Sequence, residues 1–219
     1  EDPRPFTYTI DGFVDGQDIT DLEGAVNISC DYVPGDDVGT YDIVVSGLSS
    51  DNYDIVFQNG VLTVEQFELK REHFDIDTTD EGYDGTEKEK SVELKDGIDF
   101  IEEGSEYVVE HKDNRNAGIA TIVITGKGNC KGVVTENFEI VAKAVTVHAV
   151  HKEKVYGQQD PALTVEIEGV LDGDADSIRY TIERVAGENV GAYQIDVSGE
   201  INACSIHVNA TVNGEEQDW

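Results

Sequence analysis

The chain lacks methionine altogether and has only three cysteines among its 219 residues. Because it begins at Glu1 without an initiator methionine, we expect it to be an internal piece of a longer, processed protein. Cys30, Cys130 and Cys204 lie far apart and are odd in number, so they cannot all pair with one another. We therefore predict free, partly buried thiols with no nucleophilic or metal-binding role.

Basic residues are also scarce. There are 15 Lys and Arg residues against 47 Asp and Glu residues, which gives a formal net charge of −32. A surface this acidic repels polyanions, so we expect no nucleic-acid partner and no binding to bare anionic membrane. No apolar run approaches the roughly 20 residues that a membrane-spanning helix needs, so no membrane insertion is expected. We interpret the charge as a source of solubility, with calcium binding and life at high salt as the alternatives.

The patterns of common catalytic sites are missing as well. The sequence has no Gly-x-Ser-x-Gly motif, no Walker-type phosphate loop and no Cys–His pairing. Carboxylates are so abundant that neighbours such as Glu102 and Glu103 arise by chance. A glycosidase would need two of them aimed into a cleft, which small β-domains rarely offer. We predict that the chain is not an enzyme and carries no catalytic or cofactor-binding residues.

What the sequence does contain is alternation of apolar and polar residues with a period of two, which predicts strands with one buried face. Each alternating run ends near Gly, Asn or Asp, which tolerate turn geometry. Only 18–25 and 174–180 could hold a helical turn, so the predicted fold class is all-β. The clearest alternating runs are 6–10, 145–149, 163–167 and 193–197.

A short pattern occurs three times, at 37–43, 116–122 and 189–195. In each copy an Asp or Asn precedes a Gly by two positions, and a strand pattern follows that reaches Ser-Gly or Thr-Gly. The glycines of the pattern are 79 and 73 residues apart, which suits independent domains better than solenoid repeats. The sequence therefore predicts three tandem domains, 1–65, 66–142 and 143–219.

The first and third domains match over a longer stretch, because Asp2-Pro3 corresponds to Asp160-Pro161. The third domain has the alternating run 145–149 ahead of this match, whereas the first has nothing before Glu1. We expect the first domain to lack its opening strand, and the third to be cut short at its C-terminal end. The open edge is a predicted place for pairing with a neighbouring chain. Short joints between the domains predict a semi-rigid rod.

Two segments of the third domain carry a resemblance to a known family. They are Tyr156-Gly157-Gln158-Gln159-Asp160-Pro161 and the later segment 187–193. Both resemble the MBG domain of the Tyr-Gly type, which is found repeated in bacterial surface adhesins. The first domain is similar through 36–41 and 52–55. The middle domain resembles the Ig-like repeats of Gram-positive surface proteins through Tyr83-Asp84-Gly85 and 126–132. It departs from them at Cys130, where those repeats usually carry Tyr.

The resemblance implies small Ig-like β-sandwich domains, with a β-grasp-like variant left open, in a secreted or cell-surface bacterial protein. It implies a stalk or spacer role in adhesion and carries no shared catalytic or ligand-binding residues. Two alternatives remain open. One is a module that binds a host glycan or host protein through exposed loops such as 49–52 or 113–116. The other is a set of accessory domains of a secreted carbohydrate-active enzyme.

One local pattern points to a metal. Asp172, Asp174 and Asp176, with Glu183 at the twelfth position, have the spacing of oxygen ligands in an EF-hand-type calcium loop. However, Ser177 stands where such a loop needs glycine for its sharp turn, and 180–183 is predicted to be a strand that would aim Glu183 away. The three aspartates are therefore the candidate calcium ligands, and a plain acidic turn is the favoured interpretation.

Overall fold

The computed structural model describes residues 4–199 and the strand Ile206–Ala210. Throughout these residues the chain forms β-strands joined by turns, so the predicted all-β class is confirmed. The described part contains three single-turn 3-10 helices, at Ile19–Asp21, Arg71–His73 and Ala175–Ser177. The first and last lie where helical turns were predicted. None of the helices described is long and apolar enough to cross a membrane.

The chain divides into two compact units. One comprises Glu1–His73, Leu94–Val108 and Thr125–Val134, and the other comprises Phe74–Glu93, Val109–Ile124 and Thr135–Trp219. We use the terms first, middle and third repeat for 1–65, 66–142 and 143–219. These sequence-based boundaries stay predictions.

The first repeat forms an antiparallel meander of three strands in the order β1-β2-β3: β1 Glu23–Cys30, β2 Gly39–Ser49 and β3 Gly60–Val64. A bulge interrupts the pairing of β1 and β2 between Gly24 and Asn27. Here the two strands approach so closely that a Cβ on Gly24 would lie 2.1 Å from the carbonyl oxygen of Gly47. Only glycine fits at this crossing, and the φ of +91° at Gly24 also favours it.

The predicted strand at 6–10 is wrong, because this segment belongs to no strand among the residues that the structure describes. Alternating apolar and polar residues make a segment suitable for a sheet. A strand forms, however, only if a neighbouring strand is present to pair with its backbone N–H and C=O groups. The equivalent segment of the third repeat has such a neighbour, as described below.

The middle repeat contains eight described strands. They are β4 Phe67–Glu68, β5 Phe74–Ile76, β6 Glu81–Gly82, β7 Val92–Leu94, β8 Tyr107–Lys112, β9 Gly118–Gly126, β10 Cys130–Lys131 and β11 Val133–Val141. The largest sheet has the order β6-β11-β9-β8, and β4 pairs in parallel with β10. Ala120, Ile122 and Ile124 alternate on β9 and are fully buried, so one face of this strand faces a core.

The third repeat has five described strands: β12 Lys143–Ala149, β13 Val165–Glu168, β14 Tyr180–Arg184, β15 Ile195–Gly199 and β16 Ile206–Ala210. One sheet has the order β13-β12-β16, and β14 pairs with β15 in a second sheet. Val145 and Val147 of β12 are buried with Ile178, against partly buried side chains that include Val197 of β15. Two sheets therefore share one core, in the sandwich-like arrangement that the sequence predicted.

Candidate functional site: contacts that close and join the repeats

A tyrosine hydroxyl closes the repeated turn in both the first and the third repeat. The hydroxyl of Tyr41 donates to the carbonyl oxygen of Asp37 at 2.6 Å, and that of Tyr193 donates to the carbonyl oxygen of Asn189 at 2.9 Å. Each bond spans four residues and crosses the glycine of the repeated pattern. In the middle repeat the position of this tyrosine is held by Ala120, which is fully buried. The tyrosine bond is thus a feature of the two outer repeats.

The loop that Tyr193 closes is packed against its ring. A Cβ on Gly187 would lie 2.0 Å from Cε1 of Tyr193, so no larger residue fits at 187 unless the ring moves. The guanidinium of Arg184 also lies 5.2 Å from the ring centroid, within cation–π range. The ring therefore fixes the path of the loop between β14 and β15.

Arg184 also belongs to a cluster of four charges, here called the ion cluster: Lys154, Asp160, Arg184 and Glu188. Lys154 Nζ lies 2.6 Å from Asp160 and 3.1 Å from Glu188, and Arg184 Nη2 lies 2.8 Å from Asp160 and 3.0 Å from Glu188. The hydrogen bonds from Lys154, followed by those from Arg184, lower the pKa of both carboxyl groups. The hydrogen bond to Asp160 in turn raises the pKa of Lys154.

The ion cluster explains part of the Tyr-Gly sequence motif. Asp160 lies in that motif, and Arg184 lies at the end of β14. Arg184 contacts its two carboxylate partners through Nη2. Its Nη1 donates to the carbonyl oxygens of Val185 at 2.9 Å and Gly187 at 2.8 Å. The motif is therefore tied, through one arginine, to the loop that Tyr193 closes.

Asn129 connects the first repeat to the middle repeat, within the first compact unit. Its Oδ1 accepts from the backbone N–H of Val38 at 3.0 Å, and its Nδ2 donates to Asp37 at 3.0 Å. Its carbonyl oxygen accepts from the N–H of Phe67 at 2.9 Å. One asparagine thus bonds the repeated turn of the first repeat and the first strand of the middle repeat. We call this set of contacts the Asn129 junction.

Cys130 follows Asn129 and is buried, with 1% of its surface exposed. Burial, and to a smaller extent the nearby Glu106, raises the pKa of its thiol. Cys30 is half-buried, and both thiols are free. These two therefore match the prediction of unpaired thiols, whereas Cys204 lies outside the described residues.

Tyr83 connects the middle repeat to the third repeat, within the second compact unit. Its hydroxyl donates to Oδ2 of Asp174 at 2.9 Å. Two residues later, Gly85 has a φ of +80°, and a Cβ there would lie 3.6 Å from Cδ1 of Leu171. The turn 83–85 therefore contacts the loop 171–174, and we call these contacts the Tyr83 junction.

The Tyr83 junction includes one of the three predicted calcium ligands. Asp174 precedes the 3-10 helix Ala175–Ser177, and its carboxylate accepts the tyrosine hydroxyl, while the carbonyl oxygen of Asp176 accepts from Arg179. Glu183 lies on β14 opposite Asp196 of β15, in the strand that the sequence predicted. In the part of the chain that the structure describes, no three His, Cys, Asp or Glu residues form a group that could hold a metal. Calcium binding through Asp172, Asp174 and Asp176 stays a prediction.

Of the two loops predicted to be exposed binding loops, 113–116 lies in a concave surface. Residues 113–119 line an open cavity of about 350 Å³. Asp113 has a φ of +54°, and Asn114 is tied to Lys88 by two hydrogen bonds of 2.7 and 2.9 Å. Lys88 in turn lies 2.6 Å from Asp84, and this bond lowers the pKa of the Asp84 carboxyl. The loop is therefore anchored at its base.

The other loop, 49–52, is closed on itself. The hydroxyl oxygen of Ser50 accepts from the backbone N–H groups of Asn52 at 3.1 Å and Tyr53 at 3.2 Å. Such a turn satisfies the backbone locally. The two loops therefore differ in shape, since 113–116 lines a cavity and 49–52 forms a closed turn. The sequence alone could not predict this difference.

No curated protein and no solved structure matches the chain. The family model of the MBG domain (YGX type) matches residues 1–63 and 145–214, which together make up more than half of the chain. The matched segments are the first and third repeats, which share the tyrosine bond, and the later segment contains the ion cluster. The chain belongs to the family of MBG domains of the YGX type.

Proposed function

We propose that the chain is a non-enzymatic repeat segment of a bacterial cell-surface or secreted protein, and that it acts as a spacer in adhesion. The membership of the MBG family supports a repeat-domain role. The observation that carries the spacer role is that both joints between repeats are closed by specific hydrogen bonds. These are the Asn129 junction and the Tyr83 junction.

The joints are also too short to act as flexible linkers. Two residues separate β3 from β4, and Ala142 alone separates β11 from β12. A coil of one or two residues leaves few rotatable bonds, and each junction hydrogen bond contributes about 0.5–1.5 kcal/mol to keeping its own joint closed. The net charge of −32 keeps neighbouring copies apart. A spacer needs both properties, since it must resist bending and must not aggregate.

Small-angle X-ray scattering of the full chain tests the proposal. If the three repeats lie end to end, their longest strands of 11, 9 and 7 residues predict a maximum dimension of roughly 90 Å. Asn129→Ala should widen the distribution of dimensions, because it removes both side-chain bonds to the first repeat. Asn137→Ala is the matched control, since the side chain of Asn137 accepts an exposed hydrogen bond from Thr121 within the same repeat. A maximum dimension near that of a single globule would contradict the spacer role.

A second candidate function is a glycan- or host-protein-binding module. The cavity lined by 113–119 favours it, because Asp113, Asn114, Arg115 and Asn116 supply polar groups around one concave surface. The full chain should then bind on a glycan array or a host-protein panel with micromolar affinity or better. Arg115→Ala should abolish that binding, whereas Asn52→Ala in the closed loop should not. If nothing binds, this candidate is rejected and the spacer role stands alone.

A further inference from the structure

One charged side chain lies in the interior of the middle repeat. Among the residues that the structure describes, Lys90 is the only charged one that is buried. A charged group is unfavourable in a protein interior unless partners compensate for the water that it loses. Lys90 lies shortly before β7 and belongs neither to the two junctions nor to the cavity lined by 113–119. Its burial therefore has a separate cause.

The polar partners of Lys90 lie in one short segment, 77–81, which links β5 to the start of β6. Nζ of Lys90 lies 2.8 Å from Oε1 of Glu81 and 3.5 Å from Oδ2 of Asp77. It also donates to Oγ1 of Thr79 at 3.1 Å. One ammonium group thus holds both ends of the segment, and we call these four residues the Lys90 cluster.

The segment 77–81 is attached to β11 by the same cluster. Nζ of Lys90 lies 5.1 Å from the centroid of the buried Phe138 ring, within cation–π range. Beside this ring, Oδ1 of Asp80 accepts from the N–H of Glu139 at 3.0 Å. β6 then pairs in parallel with the end of β11. The Lys90 cluster therefore closes the segment over one face of β11.

The two carboxylates of the cluster are in contact with water, whereas the ammonium is not. The side chains of Asp77 and Glu81 are 38% and 45% exposed, against 2% for Lys90. Protons from solvent therefore reach both acids directly. Hydrogen bonds from Thr79, followed by the charge of Lys90, lower the pKa of Asp77, so this carboxylate stays ionised until the pH falls below the ordinary carboxyl value of about 4.

Acid removes the counter-charges of the cluster and leaves the ammonium in place. When Asp77 and Glu81 are both protonated, Lys90 becomes a buried cation without a counter-ion, which is strongly destabilising. Its side chain is long and flexible, but the segment 77–81 lies between Nζ and solvent. The ammonium can regain water only if this segment moves away from β11.

His111 of β8 is the other titratable group that contacts Lys90. Its Nε2 lies 3.0 Å from the backbone nitrogen of Lys90 and 3.1 Å from the carbonyl oxygen of the same residue. In the tautomer with a free Nε2, this atom accepts from the N–H of Lys90. A second proton on the ring removes that acceptor. Protonation of His111 therefore acts in the same direction as protonation of the two acids.

We propose that the Lys90 cluster is an acid-sensitive switch, which holds the segment 77–81 and β6 on β11 at neutral pH and releases them when Asp77 and Glu81 are both protonated. The sign follows from the carboxylates. The stability that they supply is complete above the ordinary carboxyl pKa of about 4 and is lost as the pH falls below it.

The switch also reaches one of the two joints. Tyr83 directly follows β6, and its N–H donates to the carbonyl oxygen of Val141 at 2.9 Å. Release of β6 therefore loosens the Tyr83 junction, so the joint between the middle and third repeats becomes more flexible in acid. This consequence rests on the proposed spacer role, whereas the switch itself does not.

Amide hydrogen exchange of the full chain, measured residue by residue with NMR, tests the switch. The reporters are the N–H groups of Asp77, Tyr83 and Lys90, each of which is hydrogen-bonded in the folded chain. Their protection factors should fall about tenfold or more between about pH 5 and pH 3, while those in β1 and β2 change less. A fall of the same size between about pH 7 and pH 5 would assign the effect to His111 and overturn the proposal.

Substitutions separate the switch from general acid unfolding. Asp77→Asn together with Glu81→Gln removes both charges, so at pH 7 the three reporters should show the low protection of the acid state. Adding Lys90→Met should restore their protection, because methionine has a similar length and no charge. Adding Lys88→Met instead is the matched control and should restore nothing, since Lys88 pairs with Asp84 outside the cluster.

Two results would overturn the proposal. One is wild-type protection in the doubly substituted chain at pH 7, and the other is failure of Lys90→Met to restore what the two substitutions remove. Scattering of the unmodified chain at pH 7 tests the spacer role without involving the cluster. Failure of the switch and failure of the spacer role are therefore distinguishable.

Discussion

The first and third repeats share their hairpin and their tyrosine-closed turn but not their first sheet. The shared parts are local, since β1 with β2, and β14 with β15, are neighbours in sequence. The sheet that differs needs β12 to meet β16, which lies about sixty residues later. Local contacts therefore form the same structure in both repeats, whereas the distant contact, that of β12 with β16, belongs to the third repeat among the residues that the structure describes.

A second difference between the repeats lies at the end of the hairpin. Arg184 lies opposite Ile195 in the third repeat, and Cys30 occupies the same place opposite Ile43 in the first. The ion cluster is thus built around an arginine that the first repeat replaces with a half-buried cysteine. The hairpin forms with either residue, so the ion cluster is not required for the hairpin itself.

The largest expected effect is on the sheet that distinguishes the third repeat. Val147→Asp places an unpaired carboxylate among fully buried side chains, and we expect a loss of about 3–5 kcal/mol in the free energy of unfolding. Hydrogen exchange should then rise in β12 and β13 but not in β1 to β3. Val190→Asp is the control, because Val190 is 89% exposed. Loss of protection throughout the chain would contradict the view that the repeats form separately.

A smaller effect is expected where the loop packs on Tyr193. Gly187→Ala should destabilise the third repeat by about 1–3 kcal/mol, because the new methyl group overlaps the ring. Gly191→Ala is the matched control in the same loop, since a Cβ there meets nothing within 4 Å. Chemical denaturation followed through exchange in β14 and β15 measures both variants. Equal stability of the two variants would show that the ring moves aside.

We expect the two tyrosine hydrogen bonds to contribute equally to the stability of their repeats. Tyr41→Phe and Tyr193→Phe each remove one hydroxyl and retain the ring, so we expect each to lower the Tm by a similar, small amount. Tyr180→Phe serves as the control, because Tyr180 is exposed on β14. Thermal unfolding of the three variants makes the comparison. A large loss in one repeat only would break the equivalence that the sequence pattern predicts.

The smallest effect concerns pH and the ion cluster. The pKa values of Asp160 and Glu188 are lowered in the folded chain, so their stabilising effect is complete above the ordinary carboxyl pKa of about 4 and is lost as the pH falls below it. Asp160→Asn should therefore lower the Tm of the third repeat most at pH 7, and the difference should shrink as the pH falls below about 4. An equal shift at both pH values would mean that packing, not charge, is what the substitution removes.

The sequence predicted what depends on neighbouring residues. Alternation located β12, β13 and β15, and two of the 3-10 helices lie in the two segments where the sequence allowed a helical turn. The strand at 6–10 was predicted wrongly, because alternation cannot reveal whether a partner strand is present. The Tyr-Gly motif predicted the family, and the match to the family model confirms this prediction.

The contacts at the candidate site were harder to predict, because they join residues far apart in sequence. Asn129 meets Asp37 across 92 positions, and Tyr83 meets Asp174 across 91. No local pattern marks such pairs. The ion cluster did leave a signal, since basic residues are rare in this chain and Arg184 directly follows the predicted strand 180–183, where a lone arginine suggests an acidic partner. Because the chain has so many carboxylates, however, the sequence could not identify which of them pairs with Arg184.

The buried sulfur beside the Asn129 junction has a consequence for handling the protein in air. Cys130 is enclosed, and its proton is held more tightly than that of a free thiol, so peroxide and alkylating reagents should meet almost none of its reactive anion. If covalent dimers form during storage, we expect the disulfide to involve a cysteine other than Cys130. A probe attached under native conditions should likewise leave this position unlabelled.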